Sequence, residues 1–184
     1  MDRTTAKYLR RSASSFSRPL IADDLAGVEQ VVVIPALAEE HRLFRTLDCL
    51  SAQPAIEVAR TLVITVVNNR EPAHALDGEI ADNRRTIEAV ERRMRGPDEL
   101  RLGLVDASSP GSELGPRMGV GDARRIGLDH GLKVLVDNQV GRGLLISLDG
   151  DSRVEETYLE TIRDHFEHSK AHAAVVDYAH RLDG

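Results

Sequence analysis

The sequence predicts an α/β fold, an open and mostly parallel sheet with helices on both faces. Three observations carry that expectation. Short apolar runs rich in β-branched residues recur along the chain, segments with apolar residues at helical spacing separate them, and 184 residues make about one domain. Strands and helices that alternate in this way pair in parallel through right-handed crossovers.

The first strand is expected over 30–34, Gln-Val-Val-Val-Ile, with Pro35 as its stop. Glu39 and Glu40 then open a segment in which Leu43, Phe44, Leu47 and Leu50 repeat at helical spacing up to Pro54. A second buried strand follows at 61–67, ended by Asn68-Asn69, and a charged surface helix is expected over 83–95 before Gly96-Pro97. Residues 100–105 read as a third strand and 106–116, with Ser108-Ser109-Pro110-Gly111, as a loose loop. Ala123, Ile126, Leu132 and Leu135 mark a helix over 120–136, and Leu144 to Leu148 a fourth strand that ends at Asp149. The last helix is expected over 155–166, and a fifth strand begins at 173–176. Residues 1–27 are set apart as a basic, serine-containing, flexible tail, leaving 28–184 as the domain.

Composition narrows the function. At 41% apolar and 29% charged residues the chain has a globular profile, not that of a disordered one. A net charge of −6 points away from nucleic acid as a partner. Cys49 is the only cysteine, so an intrachain disulfide and a cysteine-based zinc site are both ruled out, and its leucine neighbours suggest a buried thiol. No apolar run reaches the roughly eighteen residues of a membrane span, and Ser12 to Ser17 lack the apolar core of a secretory signal. The expected setting is cytoplasmic. Arg3, Lys7, Arg10 and Arg11 offer a peripheral contact to anionic lipid at the cytoplasmic membrane face, beside the plainer reading of a frayed, solvated terminus.

Open α/β sheets bind ligands beyond the carboxyl ends of their strands, which directs attention to Pro35 to Ala38, Asn68-Asn69, Asp106 to Ser109 and Asp149 to Ser152. Asp149-Gly150-Asp151 stands out among them. Two carboxylates one glycine apart, where a strand emerges, suit a hard cation such as Mg²⁺ or Mn²⁺ that completes its shell with phosphate oxygens. Asp-x-Asp alone also describes a solvated turn, and only its place after a fourth strand favours a metal.

Three motifs give the chain a resemblance to the family 2 glycosyltransferases. Val31 to Glu40 (VVVIPALAEE) is similar to the family's opening strand and turn, Gly119 to Gly127 (GVGDARRIG) to its glycine-rich helix entry, and Leu148 to Leu159 (LDGDSRVEETYL) to its L-D-x-D segment and following helix. Order and spacing match over about residues 28–180. The resemblance implies a GT-A (Rossmann-like) nucleotide-diphospho-sugar transferase fold that takes a UDP- or GDP-sugar for transfer to an unknown acceptor. It implies a donor site at Pro35, Ala36, Leu37, Glu39, Asn69, Arg124 and Asp149, with Mn²⁺ or Mg²⁺ on Asp149 and Asp151. Asn69 stands where the family often has an aspartate on the base, and Leu37-Ala38 replace the usual Tyr-Asn. Arg124 has a plainer reading as a surface ion pair with Asp122 or Asp129.

The family's general base is an aspartate well downstream of Asp-x-Asp, and the sequence ends at Gly184 before any such region. The expectation is therefore a chain truncated at its C-terminus, its acceptor half absent, that binds donor without transferring sugar by itself. The alternative is a non-catalytic nucleotide-binding or interaction module whose open sheet edge, near 173–177, is covered by a partner chain. Two other readings are weaker. The haloacid dehalogenase loop, D-x-D-G after a first strand, has its glycine elsewhere, and no G-x-G-x-x-G follows Ile34 as a dinucleotide fold requires. His165, His168 and His172 gather around a helix end as solvated surface residues.

Overall fold

The computed structural model describes residues 3–97 and 99–179. Five strands, β1 (Leu20–Ile21), β2 (Gln30–Ala36), β3 (Thr61–Asn68), β4 (Arg101–Ala107) and β5 (Leu144–Ser147), form one sheet in the order β1-β4-β3-β2-β5. All neighbours from β4 to β5 pair in parallel, and only β1 runs antiparallel, on β4. The helices are α1 (Arg3–Arg11), α2 (Glu40–Ser51), α3 (Ala55–Arg60), α4 (Asp77–Met94), α5 (Val120–Asp137) and α6 (Tyr158–His168). The mixed α/β architecture expected from the alternation is thus present.

Alternation along the strands builds two cores. Val32, Ile34 and Val63 turn to one face, where Leu43, Leu47 and Leu50 of α2, Val90 of α4 and Leu159 of α6 cover them. Val31, Val33, Ile64 and Val66 turn to the other, under Ala123, Ile126, Val134 and Leu135 of α5. A sheet covered on both faces needs apolar residues at every strand position, and every residue of β2 and β3 is buried.

α5 comes unusually close to the sheet because two of its contact residues are glycines. A Cβ on Gly127 would stand 2.3 Å from Val33 Cγ1 and 2.9 Å from Val66 Cγ2, and one on Gly131 would stand 2.9 Å from Leu145 Cδ2 and 3.0 Å from Val31 Cγ1. No side chain fits at either place.

The structure corrects several expectations. Pro35 does not stop β2, which continues through Ala36 alongside β3. Pairing of β2 with β5 has ended at Val33 with Ser147, and the Leu148 N–H then donates to the Val33 carbonyl at 3.0 Å. Residues two apart in a parallel strand face the same neighbour, so Pro35 faces the β5 side after that strand has finished, and its missing N–H leaves no ladder bond unmade.

Residues 173–176 form no strand, and Val175 is 94% exposed. The fifth strand is instead β1, inside the segment expected to be a bare tail. That segment carries α1, a 3-10 turn at Ser15–Ser17 and β1, whose Leu20 lies over Gly103. The open sheet edge is accordingly at β5, not at 173–177: among the described residues only β2 pairs with it, and Leu145 is 40% exposed. Residues 180–184 of the expected domain lie outside the described ones. α3 was not expected, and α4 begins at Asp77, six residues before the expected start.

Replacing Gly127 by alanine forces a methyl group against Val33 and Val66 and should cost about 1–3 kcal/mol by overpacking. Gly121→Ala, in the same helix but with no atom within 4 Å of the added Cβ, should be neutral or slightly stabilising. Urea denaturation of both variants checks this, and equal midpoints would contradict the close seating of α5.

Candidate functional site

Because β2, β3, β4 and β5 run parallel, the segments that leave their carboxyl ends gather at one rim of the sheet. Leu37 to Glu39 follow β2, Asn69 follows β3, Asp106 stands one residue before the end of β4, and Asp149 follows β5. The four segments singled out by sequence share that rim.

The turn after β2 is held by α4. Ala38 has a left-handed backbone, φ 53, which costs a non-glycine residue roughly 1–2 kcal/mol, and its N–H donates to Asn83 Oδ1 at 2.9 Å. Asn83 Nδ2 in turn donates to the Asn68 carbonyl at 3.1 Å and to Asn69 Oδ1 at 3.0 Å. One buried amide from α4 therefore ties the ends of β2 and β3 together. Sequence reasoning missed Asn83 because an asparagine amid charged helix residues reads as one more surface group.

Beyond Leu148 the chain turns away from the sheet, and the Ser152 N–H closes the turn on the Asp149 carbonyl at 3.1 Å. Its middle residue needs to be small, since a Cβ on Gly150 would stand 2.5 Å from Glu39 Oε2. The Thr46 hydroxyl of α2 lies 2.8 Å from the Gly150 carbonyl and 2.7 Å from that of Ser152. The turn is pinned from beneath while the carboxylates of Asp149 and Asp151 keep 65% and 52% of their side-chain surface in solvent.

Three acids converge there, Glu39, Asp149 and Asp151. Glu39 is the innermost, and burial raises its carboxyl above the ordinary range; Asp151 and then Asp149 push the same way, while Arg42 opposes them. Two arginines answer the charge. Arg124 Nη2 meets Asp149 Oδ1 at 2.5 Å, and Arg42 Nη1 stands 3.7 Å from Asp151 Oδ2. Arg124 thus bonds with neither Asp122 nor Asp129, the two partners its helix position suggested; Arg125 takes Asp122. Arg124 Nε is buried without a partner in the structure.

Other expected residues are placed differently. Pro35 and Ala36 are buried within the sheet, and of that trio only Leu37 reaches the surface, at 41% exposure. Asn69 is 2% exposed; its Oδ1 accepts from Asn83 and its Nδ2 donates to the Arg70 carbonyl at 2.7 Å. Each end of its amide makes one bond inside the protein, which gives the side chain a structural task. Asp106 Oδ1 accepts the N–H groups of Ser108 and Ser109, both at 2.9 Å, and closes the turn below it. The loop that follows is anchored, not loose: Leu114 is fully buried, and Arg18 donates to the carbonyls of Ser112 and Glu113. Cys49 is half-buried, and His165, His168 and His172 lie on the surface.

Among the described residues no group of three or more His, Cys, Asp or Glu side chains is arranged to cage a metal ion. What the rim offers is two adjacent exposed carboxylates with a third behind them. Such oxygen donors suit a hard divalent cation whose remaining ligands come from a bound phosphate.

No protein-family model matches the sequence, and no curated protein matches it. Solved structures similar to the chain include residues 1–349 of TarS from S. aureus, with TM-score 0.48 and 17% identity over 76% of this chain and 32% of that one. Another is the mannosyltransferase PcManGT from Pyrobaculum calidifontis in complex with GDP-Man and Mn2+, with TM-score 0.34 and 22% identity over 68% of this chain and 31% of that one. The chain spans about a third of the length of either.

The raised Glu39 carboxyl has a consequence for stability. Ionising a group whose pKa is higher in the folded than in the unfolded state disfavours folding, so the loss grows as pH rises through the carboxylate range and is complete above it. Glu39→Gln should therefore be more stable than the parent at pH 7 and equal to it at pH 3, where both side chains are neutral. Thermal melts across that range test this, and a variant that gained nothing at pH 7 would refute the burial of Glu39 beside the two aspartates.

Proposed function

We propose that the chain is the donor-binding portion of a glycosyltransferase of GT-A type, taking a UDP- or GDP-sugar through Mn²⁺ or Mg²⁺ at Asp149 and Asp151 for transfer to an acceptor. The observation that carries this reading is the Asp149-Gly150-Asp151 turn, pinned at the ligand-binding rim of a parallel sheet with Glu39 behind it and Arg124 and Arg42 on its carboxylates. All of these except Arg42 fall in the motifs that resemble family 2 glycosyltransferases.

Each group has a task in this reading. Asp149 and Asp151 supply oxygen ligands that a cation shares with the diphosphate, and the cation would neutralise the charge of the leaving nucleotide. Arg124 and Arg42 stand on the carboxylates that would hold the cation, and their guanidinium groups would suit the diphosphate oxygens in charge and hydrogen-bonding capacity. Leu37 offers the exposed apolar surface of the β2 turn to the nucleoside. The pinned turn fixes these groups in advance, which lowers the ordering cost of binding. Carboxylates committed to a cation are poor proton acceptors, so neither aspartate is assigned as general base. A cytoplasmic setting accords with the single cysteine.

A second reading, a binding module completed by a partner chain, draws on the open β5 edge. Its strand leaves backbone groups ready to pair with another chain. Donor binding would be common to both readings, whereas acceptor-dependent transfer belongs to the first.

Titration calorimetry with UDP and GDP, with and without Mn²⁺, tests the site. The parent should bind a nucleoside diphosphate more tightly in the presence of Mn²⁺, and Asp151→Ala should abolish that gain while the melting temperature stays within a few degrees, since an exposed side chain contributes little to packing. Metal-dependent binding that survives Asp151→Ala would remove the metal assignment.

A further inference from the structure

The first helix presents a cationic face that the donor site does not use. α1 contains four cations, Arg3, Lys7, Arg10 and Arg11, and no acidic residue. At 3.6 residues per turn they share a sector of about 100° on a helix about 13 Å long. All four are exposed, whereas Thr5, Ala6 and Leu9 on the opposite side are half-buried. None of the four has an ion-pair partner among the described residues, although acidic residues outnumber basic ones in the chain, 30 to 24. Elsewhere on the surface arginines commonly pair with carboxylates, as at Arg84 with Glu88 or Arg93 with Asp48.

The stripe is also fixed in orientation. Tyr8 donates to Asp129 Oδ1 at 2.8 Å and Ser15 to Asp129 Oδ2 at 2.5 Å, so a buried carboxylate of α5 holds both ends of the turn that follows α1. Phe16 packs edge-on against His130, and Arg18 grips the loop at Ser112 and Glu113. These contacts hold the segment that carries α1 against α5 and the loop after β4.

We propose that α1 is a docking face for an anionic lipid bilayer, independent of the donor reading. Charge complementarity argues for the partner, and shape argues for its class. A short straight row of cations on a convex helix touches a plane along its whole length. A nucleic acid would have to follow a basic groove or track, which a single row about 13 Å long on a convex helix does not make. Each basic residue near an anionic bilayer adds about fivefold to the partition coefficient, and screening by salt removes the effect.

The experiment is co-sedimentation of the full chain with phosphatidylcholine vesicles with and without phosphatidylserine, alongside a fluorescence titration with a single-stranded oligonucleotide. The chain should pellet only with the phosphatidylserine vesicles and be released at about 0.5 M salt, where screening is strong. Lys7→Gln and Arg10→Gln, at exposed positions that leave the Asp129 contacts in place, should each lower binding about fivefold and together about 25-fold. Equal pelleting with both vesicle types, binding unmoved by the two substitutions, or preference for the oligonucleotide would each overturn the proposal. Failure here leaves nucleotide binding untouched, and loss of nucleotide binding says nothing against the lipid contact.

Discussion

The seating of α5 on the sheet is the constraint from which the other features follow. Gly127 and Gly131 let the helix axis approach Val31, Val33 and Val66 more closely than any side chain would permit, and dispersion and apolar burial reward that closeness along the whole contact. With the helix at this height, residues on either side of the contact are delivered to defined places. Arg124, one turn before Gly127, arrives at the carboxyl rim in reach of Asp149. Asp129 and His130, between the two glycines, face outward to receive Tyr8, Ser15 and Phe16. A single packing choice thus serves the rim and the N-terminal segment together.

The rim shows a second economy, a division between residues that hold and residues that present. Asn83, Thr46 and Asn69 are buried and spend their hydrogen-bonding capacity inside the protein. Asp149 and Asp151 stand on the turn those residues fix and keep much of their surface in solvent. Glu39 lies between the two groups, half-buried against Gly150, and its carboxyl is raised first by that burial and then by the negative charge of Asp151 and Asp149. Arg42 and Arg124 offset that charge in the structure described.

Much of this was legible in the sequence, and the rest was hidden for identifiable reasons. β2 and β3 announced themselves because a strand covered on both faces must be apolar throughout, and α5 because its stripe repeats at helical spacing. Two-residue β1 has no periodicity to read, and its place is set by Gly103, which leaves room for Leu20 more than eighty residues away. Residues 173–176 have strand composition without a strand neighbour, and pairing decides the matter. Pro35 read as a stop because its missing N–H matters only if a neighbouring strand is still present on that side. At the rim, residue types singled out two carboxylates that the structure places on one turn, but side-chain direction lies beyond composition. Asn69 turned inward, and Arg124 found its partner 25 residues away, not on its own helix.

The N-terminal clasp also sets an order of events during synthesis. Its bonds join residues far apart in the chain, with separations of 121 for Tyr8 to Asp129 and 94 for Arg18 to Ser112. The segment leaves the ribosome before α5, and the surface that receives it does not exist until α5 has been made. For most of translation α1 and β1 are without their native contacts, and the exposed edge of β4 waits for a strand already synthesised. Closing loops of that length carries an entropic cost that only a preformed α5 and β4 can repay. α1 and β1 thus gain their native contacts only after residues more than eighty positions downstream have been made.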